Sequence, residues 1–346
     1  MTPEEKFNLI TRNLQEVVGE EELKELLKNR DLKVYWGTAP TGKPHVGYMI
    51  GMFKIRDLLN AGCDVKILFA NLHAFLDDMK SSWSELDLRT EYYEFIITEL
   101  LKTMGADISK LTFVRGLDYQ TKEDFTLDMY KLAALSSERD TKRAGAEVVK
   151  QSDNPKMSSL LYPILQALDE EYLGVDAQFG GVDQRKIFMF AREFMPKIGY
   201  AKRIHLMNPM LGGLTPGGKM SASDPNSKID ILDTAKKVQK KLNKGFCEEG
   251  NVEENWFLDF AKLVMFPHLK DMGKDFVINR PDKFGGPIVF TSLEDLRSAF
   301  ENKELHPADL KLGVSDYINS LLDPIRRHAE ENGIFELAEK AYGPNK

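Results

Sequence analysis

Residues 31–70 read DLKVYWGTAPTGKPHVGYMIGMFKIRDLLNAGCDVKILFA, and this stretch decides the fold. It opens with β-branched and aromatic residues that run into Gly37, Pro40 and Gly42, the signature of a strand entering a turn. VGYMIGMFKIRDLLNAG then carries apolar residues at helical spacing and stops at Gly62. VKILFA is a short apolar run of the kind found in a strand buried on both faces. Strand, turn, helix and strand make a βαβ unit, and a parallel sheet follows from it. The fold class expected is α/β, with a doubly wound, Rossmann-like parallel sheet.

Working outward, residues 3–29 read as one or two short amphipathic helices and residues 84–104 as another. LTFVRG is a further strand, and residues 123–150 are helical and basic toward their end. SSLLYPILQALDEEYLG is an apolar helix with polar residues set into it, and VDAQFGGVDQRKIFMFAREFMPKIG reads strand, Gly-rich turn, helix. Near residue 230 the pattern becomes largely helical, broken by the loop INRPDKFGGPIVF. Two domains are expected, a Rossmann-like domain over 1–230 with a connective insertion and a smaller helical domain over 231–346.

Composition narrows the class. The chain has 346 residues, 42% hydrophobic and 29% charged, which suits a globular protein of two domains. No run approaches the ~18 apolar residues of a membrane span, so no membrane partner is expected. The acidic, amphipathic N-terminus is neither a signal nor a transit peptide. Cys63 and Cys247 are the two cysteines, too few for a zinc site or a disulfide framework, so a reducing, cytoplasmic location is expected. The net charge of −7 argues against wholesale nucleic-acid binding. Basic residues nevertheless cluster at Arg139, Lys142, Arg143 and Lys150, and again from Lys236 to Lys244. Each cluster is either a solvated helix face or a local polyanion contact.

Two motifs carry chemistry. Gly37-Thr38-Ala39-Pro40-Thr41-Gly42-Lys43-Pro44-His45-Val46-Gly47-Tyr48 lies between a strand and a helix. Glycines let a ligand approach the backbone, a helix N-terminus offers N–H groups to an anion, and His45 can donate to a phosphate oxygen. The plain alternative is a βα loop with a surface histidine. Lys219-Met220-Ser221-Ala222-Ser223 follows the glycine-hinged loop GGLTPGG. It suits a mobile phosphate clamp, or an ordinary flexible loop. Neither motif is the phosphate loop G-x-x-x-x-G-K-[ST], which is absent.

Taken together, PHVG and KMSAS resemble the two signature sequences of class I aminoacyl-tRNA synthetases. That resemblance implies catalytic roles for His45 and Lys219 at the phosphates of ATP. It implies ATP contacts from Gly37, Thr38, Ala39, His45, Gly47, Met220, Ser221 and Ser223. The family's general patterns have a second His where this chain has Tyr48 and a Lys where it has Ala222. Neither Tyr48 nor Ala222 is given a catalytic role.

Tyr162, Gln166 and Asp169 are four and three residues apart and share one helical face. They form a solvent-facing stripe or one wall of a polar pocket. Gln184 follows the Gly180-Gly181 turn, and Tyr35 lies on the strand that leads into the first motif. Strand ends and helix N-termini converge at one edge of a doubly wound sheet, where ligands bind. This set resembles the amino-acid pocket of archaeal and eukaryotic tyrosyl-tRNA synthetases. The resemblance implies that Tyr35 and Asp169 bind the phenol hydroxyl of L-tyrosine, while Tyr162, Gln166 and Gln184 hold its amino group and orient its ring. A buried Asp left unpaired when phenylalanine enters is the known basis of selectivity in this enzyme class. Gly180, Gly181 and Asp183 resemble the family's adenosine-binding segment.

RPDKFGGP and ELHPADLK resemble the same subfamily's anticodon-binding domain. Phe284 and His306 are expected to stack on a base and Asp309 to pair with a guanine edge, the alternative for Phe284 being core packing. Lys142, Arg143 and Lys150 lie where the family meets the tRNA acceptor end. The resemblance further implies tRNA(Tyr) as substrate, ATP with Mg2+ carried by the phosphates, no metal site formed by the protein, and a homodimer. The rival readings are a tryptophanyl-tRNA synthetase, a related nucleotidyltransferase without RNA, and a non-catalytic synthetase-like binding protein.

Overall fold

Six strands form the central sheet: β1 (Glu16–Val18), β2 (Lys33–Thr38), β3 (Asp64–Phe69), β4 (Leu111–Arg115), β5 (Ala177–Gly181) and β6 (Ile204–Asn208). The computed structural model describes residues 1–149, 154–215 and 228–343. The strand order is β1-β6-β5-β2-β3-β4, and every neighbouring pair is parallel except β1 with β6. Val34 pairs with Val65 on one side and with Ala177 on the other, so chain order reverses about β2. The crevice outside the carboxyl ends of β2 and β5 is the switch point where such sheets bind ligands. The α/β, doubly wound class expected from residues 31–70 is what folds. Two of its inner strands are covered on both faces: all five residues of β6, and Val65, Ile67, Leu68 and Phe69 of β3, are buried.

The helices of this part are α1 (Pro3–Thr11), α2 (Glu20–Asn29), α3 (Tyr48–Asn60), α4 (Asn71–Leu76), α5 (Leu86–Thr103), α6 (Leu117–Gln120), α7 (Glu123–Leu135), α8 (Glu138–Gly145), α9 (Met157–Tyr172) and α10 (Arg185–Phe194). Thr2 opens α1 with a capping box, accepting from Glu5 N–H while Glu5 accepts from Thr2 N–H. The stretch 123–150, read as one helical run, is interrupted at Ser136–Ser137. Ser137 makes its own capping box with Asp140 and starts α8 there.

By contact density the chain divides into two compact units. The first comprises Met1–Gly42, Lys54–Met210 and Leu337–Pro344. The second takes Lys43–Phe53 and Leu211–Glu336. Residues 43–53 thus join the second unit, whose main run begins at Leu211, and Leu337–Pro344 return to the first. The later helices are α11 (Ala235–Lys244), α12 (Trp256–Phe260), α13 (Phe266–Asp271), α14 (Leu293–Glu301), α15 (Pro307–Glu331) and α16 (Ile334–Tyr342), with a π-helical turn over Ala261–Met265.

The loop expected at residues 278–290 begins and ends in strand. β7 (Phe276–Ile278) and β8 (Ile288–Phe290) pair antiparallel. Phe276, Ile278 and Phe290 are buried while Val277 and Val289 face water, the alternation of a one-sided hairpin. Gly313 of α15 permits that packing. A Cβ there would lie 2.7 Å from both Ile278 and Phe276 side-chain atoms.

Candidate active site

The carboxyl end of the sheet gathers one polar group around Asp169. Tyr162, Gln166 and Asp169 all project from α9 into the protein and all are buried, Asp169 to 1% exposure. The solvent-facing alternative for this stripe therefore falls. Tyr119 Oη donates to Asp169 Oδ1 at 2.6 Å and Gln120 Nε2 donates to the same oxygen at 2.7 Å. His73 Nε2 stands 3.7 Å from Oδ2. The Tyr35 hydroxyl, on β2, donates to the Gln166 backbone carbonyl at 3.5 Å. Gln166 Nε2 donates to Gln184 Oε1 at 2.8 Å, joining α9 to the turn after β5. His73 meets the Tyr162 ring edge-on, with centroids 4.7 Å apart.

Burial governs the electrostatics. It pushes the Asp169 carboxyl up to about 7, against the two hydrogen bonds that pull it down. It holds His73 down at about 3, so His73 is neutral. Tyr35 and Tyr119 are both raised well above the usual phenol range, by burial first and then by the Asp169 carboxylate. Near neutral pH the site thus contains one partly ionised carboxyl bonded by neutral donors, with no cation beside it among the described residues. Such surroundings accept a neutral hydroxyl donor better than a charged group.

His73, Tyr119 and Gln120 were missed in the sequence, although their positions carried a signal. Each stands just beyond a parallel strand, His73 after β3 and the other two after β4, where doubly wound sheets place ligand groups. Asn71 ties these two strand ends together. Its Oδ1 accepts from Leu117 N–H and Leu72 N–H, both at 3.0 Å. Gly116 makes the approach possible, since a Cβ there would sit 2.5 Å from Gln120 Oε1.

The predicted nucleotide residues divide between the units. Gly37 and Thr38 end β2 with Ala39 just past it, and Gly180 and Gly181 end β5 with Asp183 in the turn that follows. A Cβ on Gly37 would make only ordinary contacts, 3.4 Å or more, so the protein itself does not demand a glycine there. Gly180 and Gly181 are more tightly placed. Their Cβ atoms would reach 3.0 Å from Phe188 and 2.5 Å from Asp183 Oδ1.

His45 and Gly47 belong to the second unit. His45 bridges Asp230 antiparallel, Val46 N–H donates to Ile229 O at 3.0 Å, and Ile231 N–H donates to Pro44 O at 3.2 Å. Residues 44–46 are thus paired with 229–231, just after the KMSAS-bearing stretch in sequence. Gly47 N–H donates to His45 Nδ1 at 3.2 Å, which leaves the ring proton on Nε2. Burial, with the nearby Lys228 ammonium second, lowers His45 to about 4. His45 is therefore a neutral donor. Lys219, Met220, Ser221, Ser223 and Lys150 lie outside the described residues.

Of the expected tRNA contacts, Lys142 pairs with Glu138 at 2.8 Å, and the more exposed Arg143 lies 3.8 Å from Glu193. Phe284 is 59% exposed, with the Lys283 ammonium 4.9 Å from its ring centroid, so core packing is not its role. His306 caps α15, its Nδ1 accepting from Ala308 N–H at 3.1 Å. Asp309 Oδ2 accepts from Arg280 Nη1 at 3.3 Å, and Arg280 Nε donates to Gly286 O at 2.7 Å. Among the described residues no cluster of three metal-ligating side chains exists, and no helix is long and apolar enough to cross a membrane.

Comparison with known proteins agrees with this geometry. Residues 27–323 match the family model of class I tRNA synthetases for tryptophan and tyrosine. The cytoplasmic tyrosine--tRNA ligase of Danio rerio is 57% identical over 99% of this chain and 64% of its own length. That of Saccharomyces cerevisiae is 53% identical over 98% of this chain and 88% of its own. The crystal structure of an Archaeoglobus fulgidus tyrosyl-tRNA synthetase complexed with L-tyrosine superposes with a TM-score of 0.85 at 38% identity, covering 94% of this chain and 99% of that one. The chain therefore belongs to the class I tRNA synthetases of the tryptophan and tyrosine group, and within it to the tyrosine--tRNA ligase family. It spans slightly under two thirds of the length of the vertebrate relatives.

Proposed function

We propose that this chain activates L-tyrosine with ATP and transfers the tyrosyl group to tRNA(Tyr). The tyrosine carboxylate attacks the α-phosphorus, the bond to the β-phosphate bridging oxygen breaks, and pyrophosphate leaves with tyrosyl-adenylate formed. A terminal ribose hydroxyl of the tRNA then attacks the tyrosyl carbonyl and AMP departs. No side chain forms a covalent intermediate, so catalysis is positioning together with stabilisation of charge on the phosphate oxygens.

The observation that carries this reading is the buried Asp169 carboxylate, bonded on Oδ1 by Tyr119 and Gln120 with no cation at its side among the described residues. Its Oδ2 is assigned to the substrate phenol, together with Tyr35. Tyr162, Gln166 and Gln184 are assigned to the amino group and ring. His45, as a neutral Nε2–H donor, and Lys219 are assigned to the ATP phosphates. Gly37, Thr38, Ala39, Gly47, Gly180, Gly181, Asp183, Met220, Ser221 and Ser223 are assigned to the rest of the nucleotide. That the protein's own packing does not require a glycine at position 37 supports this assignment. Mg2+ enters with ATP as part of the substrate.

The C-terminal portion, residues 231–346, is proposed to read the anticodon through Phe284, His306 and Asp309. Lys142, Arg143 and Lys150 are assigned to the acceptor end. A homodimer and a cytoplasmic location accompany the proposal, the latter because the relatives are named as cytoplasmic enzymes.

Pyrophosphate exchange driven by tyrosine, with tryptophan as control and aminoacylation of total tRNA beside it, tests the reading. Exchange with tyrosine alone and charging of one isoacceptor group are expected. Exchange driven by tryptophan instead would overturn the pocket assignment.

A further inference from the structure

Residues 40–42 lie between the end of β2 and His45, outside helix and sheet, and so lack ladder partners for their carbonyls. Loop carbonyls of this kind usually face water. Here three consecutive carbonyls are each held by a different side chain. Ser81 Oγ donates to Pro40 O at 2.7 Å. Arg89 Nη1 donates to Thr41 O at 2.9 Å. The Tyr93 hydroxyl donates to Gly42 O. All three side chains are buried, and Arg89 and Tyr93 share one face of α5 at i and i+4.

Arg89 is itself fixed from several sides. Nη1 also donates to Lys80 O at 2.7 Å and Ser81 Oγ at 2.8 Å. Nε donates to Ala341 O at 3.0 Å, in the last turn of α16, and Nη2 lies 3.1 Å from Glu85. Its guanidinium stands 4.8 Å from the centre of the Tyr342 ring. A buried guanidinium is tolerated when its donors are satisfied, and a carboxylate alone would have met the charge. Most of these hydrogen bonds go instead to backbone carbonyls, one of them in the loop. That is the chemistry of a clamp on backbone shape.

We propose that Ser81, Arg89 and Tyr93 are positioning residues for adenylation, holding residues 40–42 in the shape that receives ATP. The proposal rests on the functional reading given above for the stretch from Gly37 to Gly47. None of the three residues belongs to β2, α4, α6 or α9, the elements that build the Asp169 pocket. Loss of the clamp should therefore act on ATP and spare tyrosine, because a loop that must be ordered at each binding event lowers the affinity for whatever it receives.

The test uses the full chain with Ser81→Ala, Tyr93→Phe and Arg89→Lys. Tyr93→Phe removes one oxygen and leaves the packing of α5 in place. Pyrophosphate exchange is measured with ATP varied at saturating tyrosine, then with tyrosine varied at saturating ATP, alongside thermal midpoints. Ser81→Ala and Tyr93→Phe should each raise KM for ATP roughly two- to ten-fold, the range of one neutral hydrogen bond, with KM for tyrosine within about two-fold of wild type. Arg89→Lys should exceed both on ATP. An unchanged KM for ATP in Ser81→Ala and Tyr93→Phe overturns the proposal. So does a parallel rise of both KM values that tracks lost thermal stability. Wild type inactive with tyrosine would instead sink the functional reading, and equilibrium ATP binding by the same variants then judges the clamp, equal Kd values overturning it.

Discussion

Replacing Asp169 by Asn should make the ligand-free protein more stable at pH 8 while damaging its use of tyrosine. Folding raises the Asp169 carboxyl from 3.8 to about 7, chiefly through burial. A carboxyl with a raised folded pKa favours the folded state below the unfolded value, and that contribution is lost as pH rises through the folded value. At pH 8 the group is ionised in both states, and its burial then costs roughly 4 kcal/mol. Asn keeps an acceptor for Tyr119 and Gln120 and carries no charge. Its amide nitrogen would face His73 Nε2, now 3.7 Å from Oδ2, a mismatch costing about 1 kcal/mol. A net gain of about 2–3 kcal/mol at pH 8 remains. For a unit of this size that is a rise of about 5 °C or more in thermal midpoint.

Midpoints of wild type and Asp169→Asn, without ligand, at pH 8 and pH 5.5 check the reasoning. Wild-type Asp169 is mostly protonated when folded at pH 5.5 but ionised when unfolded, so the penalty avoided by Asn falls to about half. In exchange assays at pH 8 the variant should show KM for tyrosine raised about ten-fold or more, the scale of a hydrogen bond to a charged group. A variant less stable than wild type at pH 8, or an advantage independent of pH, would show that Asp169 is not held as an uncompensated carboxylate.

His45→Ala should slow pyrophosphate exchange by roughly a hundred- to thousand-fold, the scale of one lost transition-state donor. Because His45 sits at about 4, exchange should show no inflection from it between pH 6 and 9, and a step near 6.5 that persists in Asp169→Asn but disappears in His45→Ala would contradict the neutral donor. Asp309→Ala should impair tRNA charging and leave tyrosine-dependent exchange intact; a matching loss of exchange would mean that its bond to Arg280 is structural. Lys142→Ala and Arg143→Ala should each lower the salt slope of tRNA binding by about one, and an unchanged slope would remove α8 from the RNA contact.

The central βαβ unit was legible because its elements are long and periodic. Strand, helix and strand over 33–69 obey their periods with Gly and Pro at the joints. β1, β7 and β8 were not, because three residues carry no period. β6 was hidden for another reason. Its run Ile204-His-Leu-Met-Asn places a histidine in a fully buried strand, and sequence alone does not disclose the partner that permits it. That partner is Glu170, 2.7 Å from His205 Nε2, with the Phe188 ring stacked on the imidazole. The pocket was half legible for similar reasons. Tyr162, Gln166 and Asp169 declared themselves as polar residues at helical spacing. His73, Tyr119 and Gln120 sit on helices of six and four residues, too short for any pattern, and only the sheet order brings them to Asp169.

Asp169 and Glu170 make an instructive pair, since they are adjacent on α9 and buried equally, both to 1%. Burial alone cannot tell a structural carboxylate from a functional one. Their partners can. Glu170 meets an ionisable ring, His205, within hydrogen-bond distance, and the contact joins α9 to β6. Asp169 is met by a phenol and an amide on the same oxygen, while the imidazole beside it, His73, is held neutral by burial. One carboxylate has its counterpart inside the fold. The other takes the hydrogen bonds of both its donors on Oδ1 among the described residues, and these offset only part of the cost of its burial. A fold selected for stability alone would not retain the second arrangement, because a hydrophobic or amide side chain there is more favourable. It persists when a ligand supplies the missing donor, and a neutral hydroxyl in that position relieves the cost without bringing a new charge into the site. Under the proposed function, selectivity for tyrosine and the cost of burying this carboxyl are two consequences of one side chain.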